Sequence, residues 1–274
     1  MSLRKIFYAL PPSWRFLARR IWYWPQDFFA NFSGKNSPLP VPPKGMIFTG
    51  SGDFERDGRE LVANFTRFAG LLPEHHVLDV GSGIGRVALP LTQFLNEKGR
   101  YDGFDPVPTG VAWCQQNISS RWPNFQFRHV PLHNDLYTDA GGDAAQFTFP
   151  YPDSTFDFAC VISVFTHMLP GEVARYLDEL HRSLRPGGTV FATFFILNDT
   201  ARPDGNPAFV FPHVFENHAL MDKKVQAGNV AFREEWLLAA ARNFELVGKH
   251  YGFWSGRPKA ECLNFQDVLV LRKK

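Results

Sequence analysis

The run Val77-Leu-Asp-Val-Gly81-Ser-Gly83-Ile-Gly85-Arg86 restricts what this chain can fold into more than any other stretch of it. It starts as a short buried strand, His76-Val-Leu-Asp-Val80, and breaks into glycines at alternate positions. The next residues, Arg86 to Asn96, place Val87, Leu91, Phe94 and Leu95 on one side of a helix. Glycines where a strand turns into a helix let the backbone approach a ligand closely, at the edge where open α/β sheets bind their ligands. A dinucleotide site reads G-x-G-x-x-G. Here the third glycine comes one residue early and Arg86 stands in its place, which counts against a nicotinamide cofactor. Asp79, inside the strand end, is foreign to that fingerprint as well.

The alternation continues on both sides of the run. Phe54 to Gly70 is helical, with Leu61, Phe65, Phe68 and Ala69 as its apolar positions. Tyr101 to Phe104, Phe125 to Val130, Phe156 to Val164 and Thr189 to Leu197 read as strands, with helices over Thr109 to Ser119 and Gly171 to Leu184 and a turn at Pro186-Gly-Gly188. Strands alternating with helices predict a doubly wound, parallel α/β sheet. After a helix over Phe232 to Asn243, the strands Glu245 to Trp254 and Phe265 to Arg272 follow each other directly and form an antiparallel hairpin at the sheet edge. Residues 1–45 form a basic, aromatic extension ending in the stiff connector Pro38-Leu-Pro-Val-Pro-Pro43, and residues 46–274 form one domain. Residues 198–231 are long for a connection and carry Phe209, Val210, Phe211, Val214 and Phe215, so they are expected to cap the acceptor pocket.

The second strand ends in Phe104-Asp105-Pro106, where a carboxylate can accept both ribose hydroxyls of an adenosine. A helix cap is the competing reading of Asp105. These two motifs, followed by F-P-Y-P-D-S-T-F-D-F-A-C-V-I-S-V-F-T-H-M (149–168) and L-R-P-G-G-T (184–189), resemble the class I methyltransferases in order and spacing over roughly residues 50–197. The resemblance implies a seven-stranded, mostly parallel sheet with an antiparallel last strand, S-adenosylmethionine as cofactor, and transfer of its sulfonium methyl group. It makes Gly81, Ser82 and Gly83 backbone contacts to the cofactor, in a loop completed by Gly85 and Arg86. Asp79 orders that loop or reaches the methionine amine through water, Asp105 with Pro106 holds the ribose, and Ser163 lies beside the methionine. Many relatives read the adenine amine with an acid after the third strand. Here that stretch is His129-Val-Pro-Leu132-His133-Asn134, so Leu132 is expected on the adenine ring and Asn134 or Asp135 as the polar contact.

His167, just past the fourth strand, is the expected general base for a hydroxyl acceptor. Capping or packing beneath the following helix is its bland alternative. His213, Trp254 and Arg257 are expected to wall the acceptor, the last two within a W-S-G-R pattern. His129 and His133 straddle Pro131 and lack further ligands, so no metal is expected. Ser163-Val-Phe-Thr-His167 stands where a DNA base methylase carries Asn/Asp-Pro-Pro-aromatic, which disfavours that class. The substrate expectation is O-methylation of a small-molecule acceptor. N-methylation and a non-catalytic scaffold subunit are the alternatives.

A formal net charge of +2 argues against a nucleic-acid partner. Three scattered cysteines, and no apolar stretch that reads as a signal peptide or a membrane span, lead to the expectation of a cytoplasmic protein. Near the N-terminus Trp14, Leu17, Ala18 and Ile21 fall at helical spacing, with Arg15 and Arg19 off that stripe. The stripe is expected to pack on the catalytic domain, and an interfacial helix on anionic membrane is the alternative.

Overall fold

A computed structural model describes residues 12–32, 39–48, 52–134, 141–199, 206–207 and 209–274. The first described element is helix α1 (Pro12–Phe32), followed by α2 (Phe54–Ala69). Asp53 caps α2 by accepting from the Arg56 N–H, and Gly70 ends it in the left-handed conformation. Between those stops Phe54, Leu61, Val62, Phe65 and Ala69 face the core.

Then come β1 (His76–Val80), α3 (Ala88–Phe94), β2 (Arg100–Asp105), α4 (Pro108–Cys114), β3 (Phe125–His129), β4 (Phe156–Val161), α5 (Pro170–Ser183) and β5 (Leu184–Phe194). After β6 (Ile196–Leu197), β7 (His213–Val214), β8 (His218–Leu220) and β9 (Val230–Arg233), the chain closes with α6 (Glu234–Ala240), β10 (Phe244–His250) and β11 (Asp267–Lys273). The main sheet has the order β10-β11-β5-β4-β1-β2-β3. Its inner strands are parallel, and β11 runs antiparallel to both β5 and β10. The seven-stranded, doubly wound sheet with a reversed last strand is therefore as expected.

Both faces of the sheet are covered, which is why β1 and β4 read as nearly continuous apolar runs. Leu78 and Val80 pack with Val161, Phe194 and Leu177 on one side. Val77 packs with Phe65, Phe158 and Phe191 on the other.

Three local expectations change. Pro186-Gly-Gly188 does not precede the fifth strand but bulges within it, so that one residue of β4 opposes four of β5 between the pairs Phe156–Leu184 and Phe158–Thr189. The chain after Phe194 passes into a second, four-stranded sheet, β6-β9-β8-β7, that the sequence reading does not contain. Finally, the stripe of Trp14, Leu17, Ala18 and Ile21 does not pack on the domain; all four are exposed. Helix α1 docks by its opposite side, with Phe16 against Phe48 and Asp27 accepting from the Lys44 and Gly45 N–H groups.

Candidate functional site

The glycine loop leaves β1 at the sheet's carboxyl edge. Gly81, Gly83 and Gly85 all have positive φ, a conformation that side chains resist. At Gly81 a Cβ would lie 2.4 Å from a Val164 methyl. The loop's amides are already engaged: those of Gly81 and Ser82 donate to the Phe104 carbonyl and that of Gly83 to Asp105 Oδ2 at 2.8 Å. What the loop gives a ligand is therefore closeness of approach rather than free amide donors. Gly85 serves packing, since a Cβ there would meet Ile118 and Cys114.

Asp105 ends β2 with its other oxygen accepting from the Val107 N–H at 2.8 Å. It thus closes a local turn and does not cap α4, whose N-cap position is Val107 with no side-chain cap. Burial lifts its carboxyl to about 7, against the pull of those two N–H groups. Asp79 is equally enclosed. It accepts from the Tyr101 hydroxyl at 2.6 Å, and burial raises it to about 6. A carboxylate held out of water beside a left-handed glycine loop is what an adenosine ribose needs as acceptor. The Ser82 hydroxyl, buried there without a hydrogen-bond partner, leaves polar capacity for a ligand. The residues present fit the cofactor expected from sequence.

One cavity of about 580 Å³ gathers Asp79, Gly81, Ser82, Gly83, Arg86, Asp105, Pro106, Leu132, Ser163 and His167 along its wall. That volume lies within the range of small-molecule sites. His133 and Asn134 also line it, and the Asn134 amide donates to the His167 carbonyl. Asp135 lies outside the described residues. Ser163 is a non-glycine residue at φ 58°, pinned by its N–H donating to Thr193 Oγ1 at 2.7 Å and its hydroxyl to Gln266 at 2.9 Å. Strain held in this way clusters at functional edges.

His167 sits in the short turn Phe165–His167 with Nδ1 2.9 Å from the Ala227 carbonyl. A carbonyl cannot donate, so that contact assigns the ring proton to Nδ1 and the lone pair to Nε2. Burial lowers the imidazole below the usual histidine range, with the Ala227 hydrogen bond opposing it. Burial thus favours the neutral ring that a base needs, against the pull of the Ala227 and Gly228 backbone.

The expected acceptor wall is not brought to the cavity. Trp254 is fully buried in a cluster with Phe195 and Phe211, its indole N–H donating to Asp267 at 2.7 Å. An indole surrounded on all sides satisfies its polar atom internally and presents no free face. Arg257 lies over the Tyr251 ring and donates to the Ser255 hydroxyl. His213 pairs with Leu220 in the small sheet.

The cavity is lined instead by Arg56, Glu60 and Asn64 of α2, by Phe48, and by Phe253, Lys259 and Leu263 to Gln266 before β11. The residues of α2 recur every four positions, a spacing that sequence reading assigns to an ordinary solvated face.

Residues 78–192 match a family model described as a methyltransferase domain. Over 150 residues the chain is 30% identical to tRNA N(3)-cytidine methyltransferase METTL2 of Gallus gallus, a match covering 53% of this chain and 36% of that protein. The chain thus spans about a third of the curated relatives' length. Among solved structures, the PH0226 protein of Pyrococcus horikoshii OT3 has a TM-score of 0.54 at 16% identity, covering 82% of this chain and 93% of that one. The 1,6-didemethyltoxoflavin-N1-methyltransferase of Burkholderia thailandensis, solved with 1,6-didemethyltoxoflavin and S-adenosylhomocysteine, has 0.50 at 18% identity, covering 97% and 91%. These structures share the fold. The expected absence of a nucleic-acid partner does not stand, because the curated relatives are tRNA methyltransferases. Net charge averages over the surface, and the first 26 residues alone hold five Lys or Arg and no Asp or Glu.

Proposed function

We propose, from the premise that residues 78–192 of this chain are a class I S-adenosylmethionine-dependent methyltransferase domain, that the protein methylates a hydroxyl of a small-molecule acceptor. The observation that carries this reading is the single cavity joining the Asp105 end to His167 and to the apolar wall of Phe48, Phe253 and Phe265. When bound, the cofactor supplies an electrophilic methyl group whose C–S bond breaks as the new bond to the acceptor forms, leaving S-adenosylhomocysteine. Asp105 would accept from the ribose hydroxyls, Leu132 would pack on the adenine, and the Ser163 edge would border the methionine, all from the wall of this cavity. His167 takes the acceptor's proton on Nε2 while Nδ1 keeps its hydrogen bond to Ala227. The apolar wall excludes water and holds acceptor and methyl group in line.

The tRNA relatives favour a second reading, transfer to a cytidine ring nitrogen in RNA. Such a nitrogen carries its lone pair at neutral pH and needs no base. Methyl-labelled cofactor incubated with hydroxyl-bearing small molecules and with tRNA separates the two. Under the first reading a small molecule is labelled, and His167→Ala lowers kcat by about 10²–10⁴ while cofactor affinity holds. Label entering only tRNA, at a rate His167→Ala does not change, refutes it.

A further inference from the structure

We propose that α1 lies flat on an anionic membrane surface and attaches the protein there. At 3.6 residues per turn, Trp14, Leu17, Ile21, Trp22, Trp24 and Phe29 fall within one arc of roughly 160°. Their exposures are 61, 49, 66, 77, 64 and 68%. A helix that folds onto its own domain turns such an arc inward; this one turns it out. The inward side is fixed by the Phe16–Phe48 ring contact at 5.5 Å and by Asp27, which accepts from Lys44 N at 2.7 Å and Gly45 N at 2.9 Å. The acid at position 27 is therefore spent on the protein.

The charge distribution selects the occupant. Residues 1–26 carry five basic and no acidic side chains, and the other 248 residues carry 24 basic against 27 acidic. The basic surplus of the chain is thus confined to the segment bearing the apolar arc; within α1, Arg15 is buried and Arg19 lies half-buried over the Tyr23 ring, and exposed Arg20 borders one edge of the arc. Basic side chains flanking a tryptophan-rich apolar face are the composition that seats a helix in the headgroup layer. A second copy meeting this face about a two-fold axis would bring the exposed Arg20 of both copies into one interface. An RNA strand would stack on the aromatic rings but leave Leu17 and Ile21 uncovered. No described helix is long and apolar enough to cross a membrane, so the attachment is peripheral. Phe48, the ring under Phe16, lines the cavity, which places the attached helix next to the site.

The test is co-sedimentation of the full chain with phosphatidylcholine vesicles, with and without phosphatidylglycerol. The wild type is expected to pellet with the anionic vesicles only and to be released by salt. Ile21→Glu and Trp22→Ser, both at exposed positions, should each lower partitioning at least about tenfold with an unchanged unfolding midpoint. Arg20→Glu should weaken binding and flatten its salt dependence. Failure of the wild type to pellet overturns the proposal, as do equal binding to neutral vesicles and variants that pellet like the wild type. So does a dimer, or a tRNA complex, that Ile21→Glu abolishes while vesicle binding is absent.

Discussion

Asp105 offers two oxygens to two backbone donors, Gly83 N–H and Val107 N–H, and in that buried position still titrates near 7. Hydroxyl donors from a ribose stabilise the ionised form, so binding and deprotonation are linked. The affinity for S-adenosylhomocysteine is therefore expected to rise with pH through about 7. Asp105→Ala should weaken binding by about 1.5–3 kcal/mol and remove that pH dependence. Titration calorimetry at several pH values decides it; an unchanged affinity in a folded variant refutes the ribose role. The stability sign follows from the same shift. A carboxyl raised from 3.8 to about 7 on folding contributes stability that is full below about 4 and is lost as pH rises through 7. Relative to wild type, ligand-free Asp105→Asn should gain in melting temperature between pH 5 and pH 8. A difference independent of pH would mean that Asp105 does not titrate there.

Between elements, the junction of the two sheets rests on one side chain at the start of β11. Asp267 is buried and accepts from Ile196 N at 2.6 Å, Gly252 N at 2.7 Å and Trp254 Nε1 at 2.7 Å, tying β6 and the 252–254 loop to the main sheet. Removing the acceptor strands three buried donors, so Asp267→Ala should cost about 3 kcal/mol or more in denaturant unfolding. A loss under about 1 kcal/mol would show that water replaces the carboxylate. Asp267 was illegible in the sequence because its partners come from segments 13 to 71 residues away. Legibility followed locality throughout. β1 and the Gly81–Gly85 loop were readable because a buried strand and its glycines encode their conformation within a few residues. Two-residue strands such as β6 and β7 carry no period to detect. Trp254 and Arg257 were misassigned because an aromatic-basic stretch has the same composition whether it walls a pocket or fills a core. Gln266 and Asn64 reach the cavity only through tertiary placement.

For the whole molecule, the question is how the small sheet serves a site it does not line. Among the described residues of 198–231, none borders the cavity. The segment touches the site through the Ala227 carbonyl on His167, and it is anchored by Phe211 against Phe195 and Trp254 with ring centroids 5.5 Å apart in each pair. Its proposed role is therefore to hold the imidazole's tautomer and keep it dry, rather than to roof the acceptor. Phe211→Ala opens a void in that aromatic cluster and should cost about 3 kcal/mol. Loosening the sheet admits water to His167, and relief of its burial raises the imidazole toward the ordinary histidine value. A base with a raised pKa is protonated at higher pH, so the acid limb of the kcat profile should move up in pH. Affinity for S-adenosylhomocysteine should hold, since the glycine loop and Asp105 belong to β1 and β2 and not to the small sheet. An acid limb that stays in place while cofactor affinity falls would mean that the small sheet supports the cofactor end and not the base.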